Sequence, residues 1–166
     1  MTKNSILILI FYLFSNVVLG QSEEVKKLFE PTETDSLYIL AIRNYTQHSD
    51  TLYKENPLRE RPSKILYLRH ENYLSRLPKI INGYQIIRLG LANQKKYFRK
   101  NKNRLTLIEI SPLTLKDGLF SITLIPYGAR RKGKSKMDLS YSGYDRTYFK
   151  YEDGKLIMDK FESDGI

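Results

Sequence analysis

Apolar residues along this chain follow two rhythms, an early helical one and a later alternating one. Tyr38, Ala41, Ile42 and Tyr45 fall at i, i+3, i+4 and i+7, with Leu37 and Leu40 flanking the stripe. Thr34 or Asp35 offers a side-chain oxygen as cap, and the helix is expected to end near His48. Residues 49–64 carry Pro57, Pro62 and many charges, and read as a loop. Ile65–Arg69 and Tyr84–Leu89 are short strand candidates, with Leu77-Pro78 and Asn82-Gly83 as breakers between them. Gly90–Asn101 is expected to be helical, with Leu91, Lys95 and Tyr97 or Phe98 suitably spaced.

From Arg104 onward the period becomes two. Leu105–Leu115 and Leu119–Ala129 flank Lys116-Asp117-Gly118, while Leu139–Tyr151 and Lys155–Phe161 flank Asp153-Gly154. Asp-Gly supplies the two left-handed residues that a tight hairpin turn requires, so each pair of runs predicts an antiparallel hairpin. Lys116 then pairs with Leu119. Carried down the ladder, this register sets Leu115 against Phe120, Leu113 against Ile122, Leu105 against Arg130, and Arg104 near Arg131. The second hairpin, extended likewise, brings Ile166 near Tyr141. Helices first and strands second predict an α+β domain, an N-terminal helix packed on a curved antiparallel sheet.

Residues 1–20 follow neither rhythm. Lys3 gives a positive start, Ile6 to Phe14 an unbroken apolar run, and Val18-Leu19-Gly20 a small-residue junction before Gln21. That is the three-part layout of a secretory signal peptide. A membrane-spanning helix needs about 20 apolar residues, and Ser15 and Asn16 interrupt this run first. The expected organisation is a signal peptide at 1–20, a flexible polar stretch at 21–34 with one helical turn around Glu23–Glu30, and a single domain at 35–166. The expected location is the periplasm or the medium.

Composition narrows the chemistry. With 166 residues, 41% of them hydrophobic, the chain can bury one core without staples. It has no Cys, which removes disulfides, thiolate metal sites and a cysteine nucleophile. Nucleotides are scarce outside the cytoplasm, so an exported chain is not expected to use one. The formal charge of +10 is concentrated in two acid-free stretches. One holds Lys95, Lys96, Arg99, Lys100, Lys102 and Arg104; the other holds Arg130, Arg131, Lys132, Lys134 and Lys136. The first hairpin brings both to one end of the sheet, where Lys95, Lys96, Arg99, Arg130, Arg131 and Lys132 form a candidate anion-binding patch. The same charges also suit a plain solvated sheet end, which Glu162, Asp164 and the terminal carboxylate are expected to reach and partly neutralise.

Other motifs weaken on inspection. Gly128-Ala-Arg-Arg-Lys-Gly133-Lys134-Ser135 fits a phosphate-loop string, but that loop needs a helix after it. Met137-Asp138-Leu139-Ser140-Tyr141 reads as strand instead. His48 and His70 are the only imidazoles. Two His beside Lys residues suit acid–base cleavage of a phosphodiester, yet no spacing links them, and His48 at a helix end suits a contact with the helix dipole. Neither forms a metal-ligand pair, and no cofactor is expected. Glu71, Glu109, Asp145 and Asp159 are isolated carboxylates, Glu109 reading as an outward or edge-blocking charge. Tyr144 and Tyr148 share one strand face with Arg146 between them, a candidate aromatic platform for sugars or bases.

The junction Leu19-Gly20-Gln21 and the stretch Leu77-Pro78-Lys79-Ile80-Ile81-Asn82-Gly83-Tyr84-Gln85-Ile86-Ile87 resemble small exported proteins of the Bacteroidetes. That resemblance covers little of the chain and implies no activity. The helix-on-sheet layout is similar to cystatin-like or nuclear-transport-factor-like folds, which host binders and enzymes alike. Together these observations predict an exported, non-enzymatic binding domain, monomeric or weakly associating. Its expected partner is an anionic envelope or extracellular ligand, a polysaccharide or lipopolysaccharide rather than nucleic acid. A protein-interaction module of inhibitor or immunity type, and a small His-dependent hydrolase, are the alternatives.

Overall fold

The computed structural model of the protein describes residues 32–55, 63–74, 76–133 and 136–165. The expected signal peptide and the turn around Glu23–Glu30 lie outside the described residues. Helix α1 spans Glu33–Glu55. It starts inside the stretch expected to be flexible and runs a full seven residues past His48. No Pro or Gly interrupts it before Pro57, and tertiary bonds hold its last turns: Asp50 accepts from the Tyr84 hydroxyl at 2.7 Å and pairs with Lys64 at 3.4 Å. Leu37, Tyr38, Ala41, Ile42 and Thr46 form its buried face.

The strands are β1 (Ile65–Arg69), β2 (Ile80–Ile81), β3 (Tyr84–Leu89), β4 (Arg104–Ile110), β5 (Thr114–Lys116), β6 (Leu119–Lys132), β7 (Lys136–Tyr141), β8 (Tyr144–Glu152) and β9 (Lys155–Asp164). They form one open sheet ordered β2-β3-β1-β4-β6-β8-β9, with β5 and β7 also pairing to β6. The fold is α+β, one long helix against a large, mostly antiparallel sheet. Its first half departs from the expected pattern, because β1 pairs in parallel with both β3 and β4. The short helix α2 (Gln94–Lys100) makes the connection from β3 to β4.

Three tight turns do what their sequences dictate. Asn82-Gly83, Asp117-Gly118 and Asp153-Gly154 all have positive φ at both positions, the backbone of a two-residue hairpin turn. Asn82-Gly83 therefore joins β2 to β3 as a hairpin rather than merely breaking the chain, and Asn82 donates to Thr46 Oγ1 of α1 at 3.1 Å.

The long runs are each cut once. Ser111-Pro112-Leu113 separates β4 from β5. Ser111 lies opposite Thr123 and Thr114 opposite Ser121, so Pro112 and Leu113 face Ile122 alone. That is a β-bulge, and it takes up a proline with no N–H for the ladder. The ladder beyond it slips by one residue: Arg104 pairs with Arg130 and Leu105 with Ala129, in place of the extrapolated Leu105–Arg130. Ser142-Gly143 separates β7 from β8. Gly143 has φ +114°, and a Cβ there would collide with the Asp164 carbonyl and the Gly165 Cα. The sheet forks at this point, with β7 pairing to residues 127–132 of β6 and β8 to residues 120–124. A further bulge at Asp159 shifts the β8–β9 register by one, and Ile166 lies outside the described residues.

Alternation sorts the side chains into two cores. Leu66, Leu68, Ile108, Ile110, Ile122, Leu124 and Phe149 meet α1 on one face. Tyr67, Leu89, Leu107 and Ala129 pack around the fully buried Phe98 of α2 on the other. Leu91, expected on the helical stripe, is 92% exposed. It precedes α2, in a turn where the Gly90 N–H donates to Asn93 Oδ1 at 3.0 Å.

Candidate functional site

The two cationic stretches do meet, across a backbone junction. After α2 the chain reverses through Lys102 and Asn103, both with positive φ, and the Arg131 N–H donates to the Asn103 carbonyl at 2.9 Å. The sheet itself then divides the charges. Ala129 belongs to the α2 face and Leu124 to the α1 face. By alternation along β6, Arg131 lies on the face covered by α2, the helix that carries Lys95, Lys96 and Arg99, while Arg130 and Lys132 lie on the α1 face. The predicted patch is thus two patches back to back.

On the α1 face the bulge at Pro112 has a direct effect. It brings Arg104 directly opposite Arg130, both exposed and on the same face, and this pair borders an open groove. Neither guanidinium has a carboxylate partner among the described residues. Asp138, across from Arg130 on β7, pairs with Lys132 instead. Glu162 and Asp164 do not reach this end, since they lie opposite Arg146 and Tyr144. One step along β4 and β6, Thr106 pairs with Gly128, and Gly128 with Ser140. The nearest atom to a Cβ at Gly128 would be Ser140 Cβ at 3.8 Å, so the floor here is bare backbone. The phosphate-loop string fails structurally, because Gly128 lies within β6 and the next element is strand β7.

Thr106 also lines a second, larger cleft of about 720 Å³ between the last turns of α1 and the fork of the sheet. His48 Nδ1 lies 3.0 Å from Asp145 Oδ1, and the ring meets Phe161 edge-on at 5.6 Å. His48 therefore joins α1 to β8, in place of the helix-end contact expected of it. Nε2 has no partner among the described residues. Burial, and then the charge of Asp145, push the Tyr45 phenol well above its ordinary range, so it stays a hydrogen-bond donor. His70 does not line the cleft; it is exposed beside Gly90.

Asp145, expected to be an isolated carboxylate, is instead paired with His48. A signal was available: with Tyr144, Arg146 and Tyr148 on one face of β8, Asp145 must point inward with Thr147 and Phe149. An inward carboxylate needs a partner. Glu109 is outward as expected but blocks no edge, because β4 is interior; it pairs with Arg69 of β1.

Tyr144 and Tyr148 share the face opposite α1, and their rings are already occupied. The Arg146 guanidinium lies 4.8 Å from the Tyr144 centroid and 5.8 Å from that of Tyr148. Lys160 Nζ sits 4.5 Å from the Tyr148 centroid, and the Tyr148 hydroxyl donates to Glu162 at 2.8 Å. This is a cross-strand cation–aromatic ladder that holds β8 to β9, not an open stacking platform.

Among the described residues, no group of three or more His, Cys, Asp or Glu is placed to hold a metal ion. No helix among them is long and apolar enough to cross a membrane. No family model, curated protein or solved structure matches the chain.

Proposed function

We propose that the protein is an exported, non-catalytic domain that binds an anionic polysaccharide of the cell envelope or its surroundings. The observation that carries this reading is the Arg104–Arg130 pair. Like charges directly opposite each other on two strands destabilise a sheet, and here neither has a carboxylate partner among the described residues. A bound carboxylate or sulfate relieves that repulsion, and guanidinium geometry suits either group. The layout of residues 1–20 supports export, and the excess of cations supports attraction of a polyanion.

Retention on immobilised heparin in a salt gradient tests the reading. The double variant Arg104→Ser, Arg130→Ser is expected to elute at clearly lower salt than the parent, while Lys95→Ser, Lys96→Ser on the other face changes little. Unchanged elution of the arginine variant would end the idea. The His48–Asp145 pair in its open cleft favours a second reading, a His-dependent hydrolase. Assay of the same mixtures for new reducing ends separates the two: none are expected, and release that His48→Ala abolishes would establish the hydrolase.

A further inference from the structure

The arginine shelf and the large cleft share Thr106, so a ligand lying along β4 and β6 passes from one into the other. Their chemistries differ. The shelf offers two guanidinium groups, whereas the cleft is lined by Glu55 and Asp145 with several hydroxyl-bearing residues. A uniformly charged polyanion suits only the shelf, because its next anionic group would enter among carboxylates. A nucleic acid, with a phosphate on every unit, is disfavoured for the same reason.

We infer that the cleft is a sugar subsite, taking an uncharged unit of an acidic heteropolysaccharide whose charged unit rests on Arg104 and Arg130. An uncharged sugar presents what the cleft accepts. Its hydroxyls donate to Glu55, the protonated Tyr45 phenol donates to a ring or hydroxyl oxygen, and its C–H face meets Leu52 and Pro126. The volume, about 720 Å³, falls within the range of roughly 300–1,000 Å³ usual for ligand clefts. Length agrees as well. Pro126 and Arg130 are four residues apart on β6, about 13 Å at roughly 3.3 Å per residue, a span that linked units bridge and a single unit does not. This inference rests on the anion-binding reading of the shelf.

Titration calorimetry with three probes tests it: a hyaluronan hexasaccharide, in which acidic and uncharged sugars alternate; a hexamer of galacturonate, uniformly acidic; and inorganic polyphosphate. The cleft variant Glu55→Gln keeps side-chain size and removes one negative charge near the ligand. General electrostatics predicts tighter binding of all three probes by this variant. Sugar recognition predicts the opposite for the alternating hexamer alone, a loss of about tenfold for the one carboxylate hydrogen bond removed. Unchanged or tighter binding of the alternating hexamer overturns the inference while leaving the shelf intact. Arg104→Ser, Arg130→Ser is expected to weaken all three probes, and its failure to weaken any of them overturns the reading on which the inference rests. Matching thermal melts of the variants and the parent exclude misfolding as the cause.

Discussion

Beneath α1 the sheet presents a broad apolar face, with Leu68, Ile108, Ile122, Leu124 and Phe149 almost wholly removed from solvent against Ile42 of the helix. On the outer face the seven-residue α2 supplies one fully buried side chain, Phe98, over a small cluster. The remainder of that face is held by cross-strand pairs such as Arg69–Glu109 and the Tyr144–Arg146–Tyr148 ladder. Stability is therefore concentrated on one side. The candidate binding groove lies on that same side, just where α1 runs out of core to cover. A rigid support positions polar groups more accurately than a loop does, and here the core that stabilises the domain also fixes Asp145 and His48.

Truncating one aromatic on each face gives the sharpest contrast. Phe149→Ala is expected to cost about 3–5 kcal/mol, read as a lowered urea midpoint for the whole domain. Phe98→Ala removes as large a side chain, yet its main effect is expected to be local. Amides of residues 94–103 should exchange faster while those of β6 and β8 keep their protection. If Phe98→Ala lowers the global midpoint as far as Phe149→Ala, the two faces are equals and the contrast fails.

Alkaline titration attacks the buried phenols of the α1 face. Tyr73 stacks on Tyr38 at 5.6 Å and donates to the Ile110 carbonyl at 2.6 Å. Burial, then the charge of Glu71, pushes its phenol up to about 12 from the usual 10. Burial also raises Tyr38. A raised folded-state pKa means the stability is fully present below pH 10 and drains away as the pH climbs from about 10 to about 12. Melting temperatures across that window should fall, and Tyr73→Phe should flatten the fall. An identical decline in that variant would assign the sensitivity elsewhere.

The smallest effect concerns the groove. Relieving the Arg104–Arg130 repulsion by Arg130→Ser should raise stability by about 0.2–1 kcal/mol at low ionic strength, with the gain fading as salt screens the pair. Urea midpoints at two salt concentrations measure it. A loss of stability would mean that the two guanidinium groups are compensated after all.

Local chemistry made the hairpins readable, because Asp117-Gly118 and Asp153-Gly154 carry their own geometry. The stripe on α1 was readable for the same reason, being set by spacing alone. What depended on distant partners was not. Ile65–Arg69 and Tyr84–Leu89 look alike as strands, and nothing within either run declares that they lie parallel. The slip at Pro112 needed the fate of one missing N–H, yet it decides whether Arg104 faces Arg130. His48 and Asp145 are separated by most of the domain, and their meeting requires α1 to continue beyond the point where its apolar stripe stops. The cationic stretches were legible as charge but not as faces, since a one-residue change of register moves a side chain through the sheet.

Gly143 lies between β7 and β8, and no side chain fits between it and the backbone of Asp164 and Gly165. Those two residues, together with Ser142 beside the glycine, also border the cleft. The seam that lets one long strand serve two neighbours is therefore part of the chamber wall. A methyl group added at 143 would push the closing segment of β9 outward, reshaping the cavity and loosening the sheet in a single stroke, so architecture and recognition share a common point of failure.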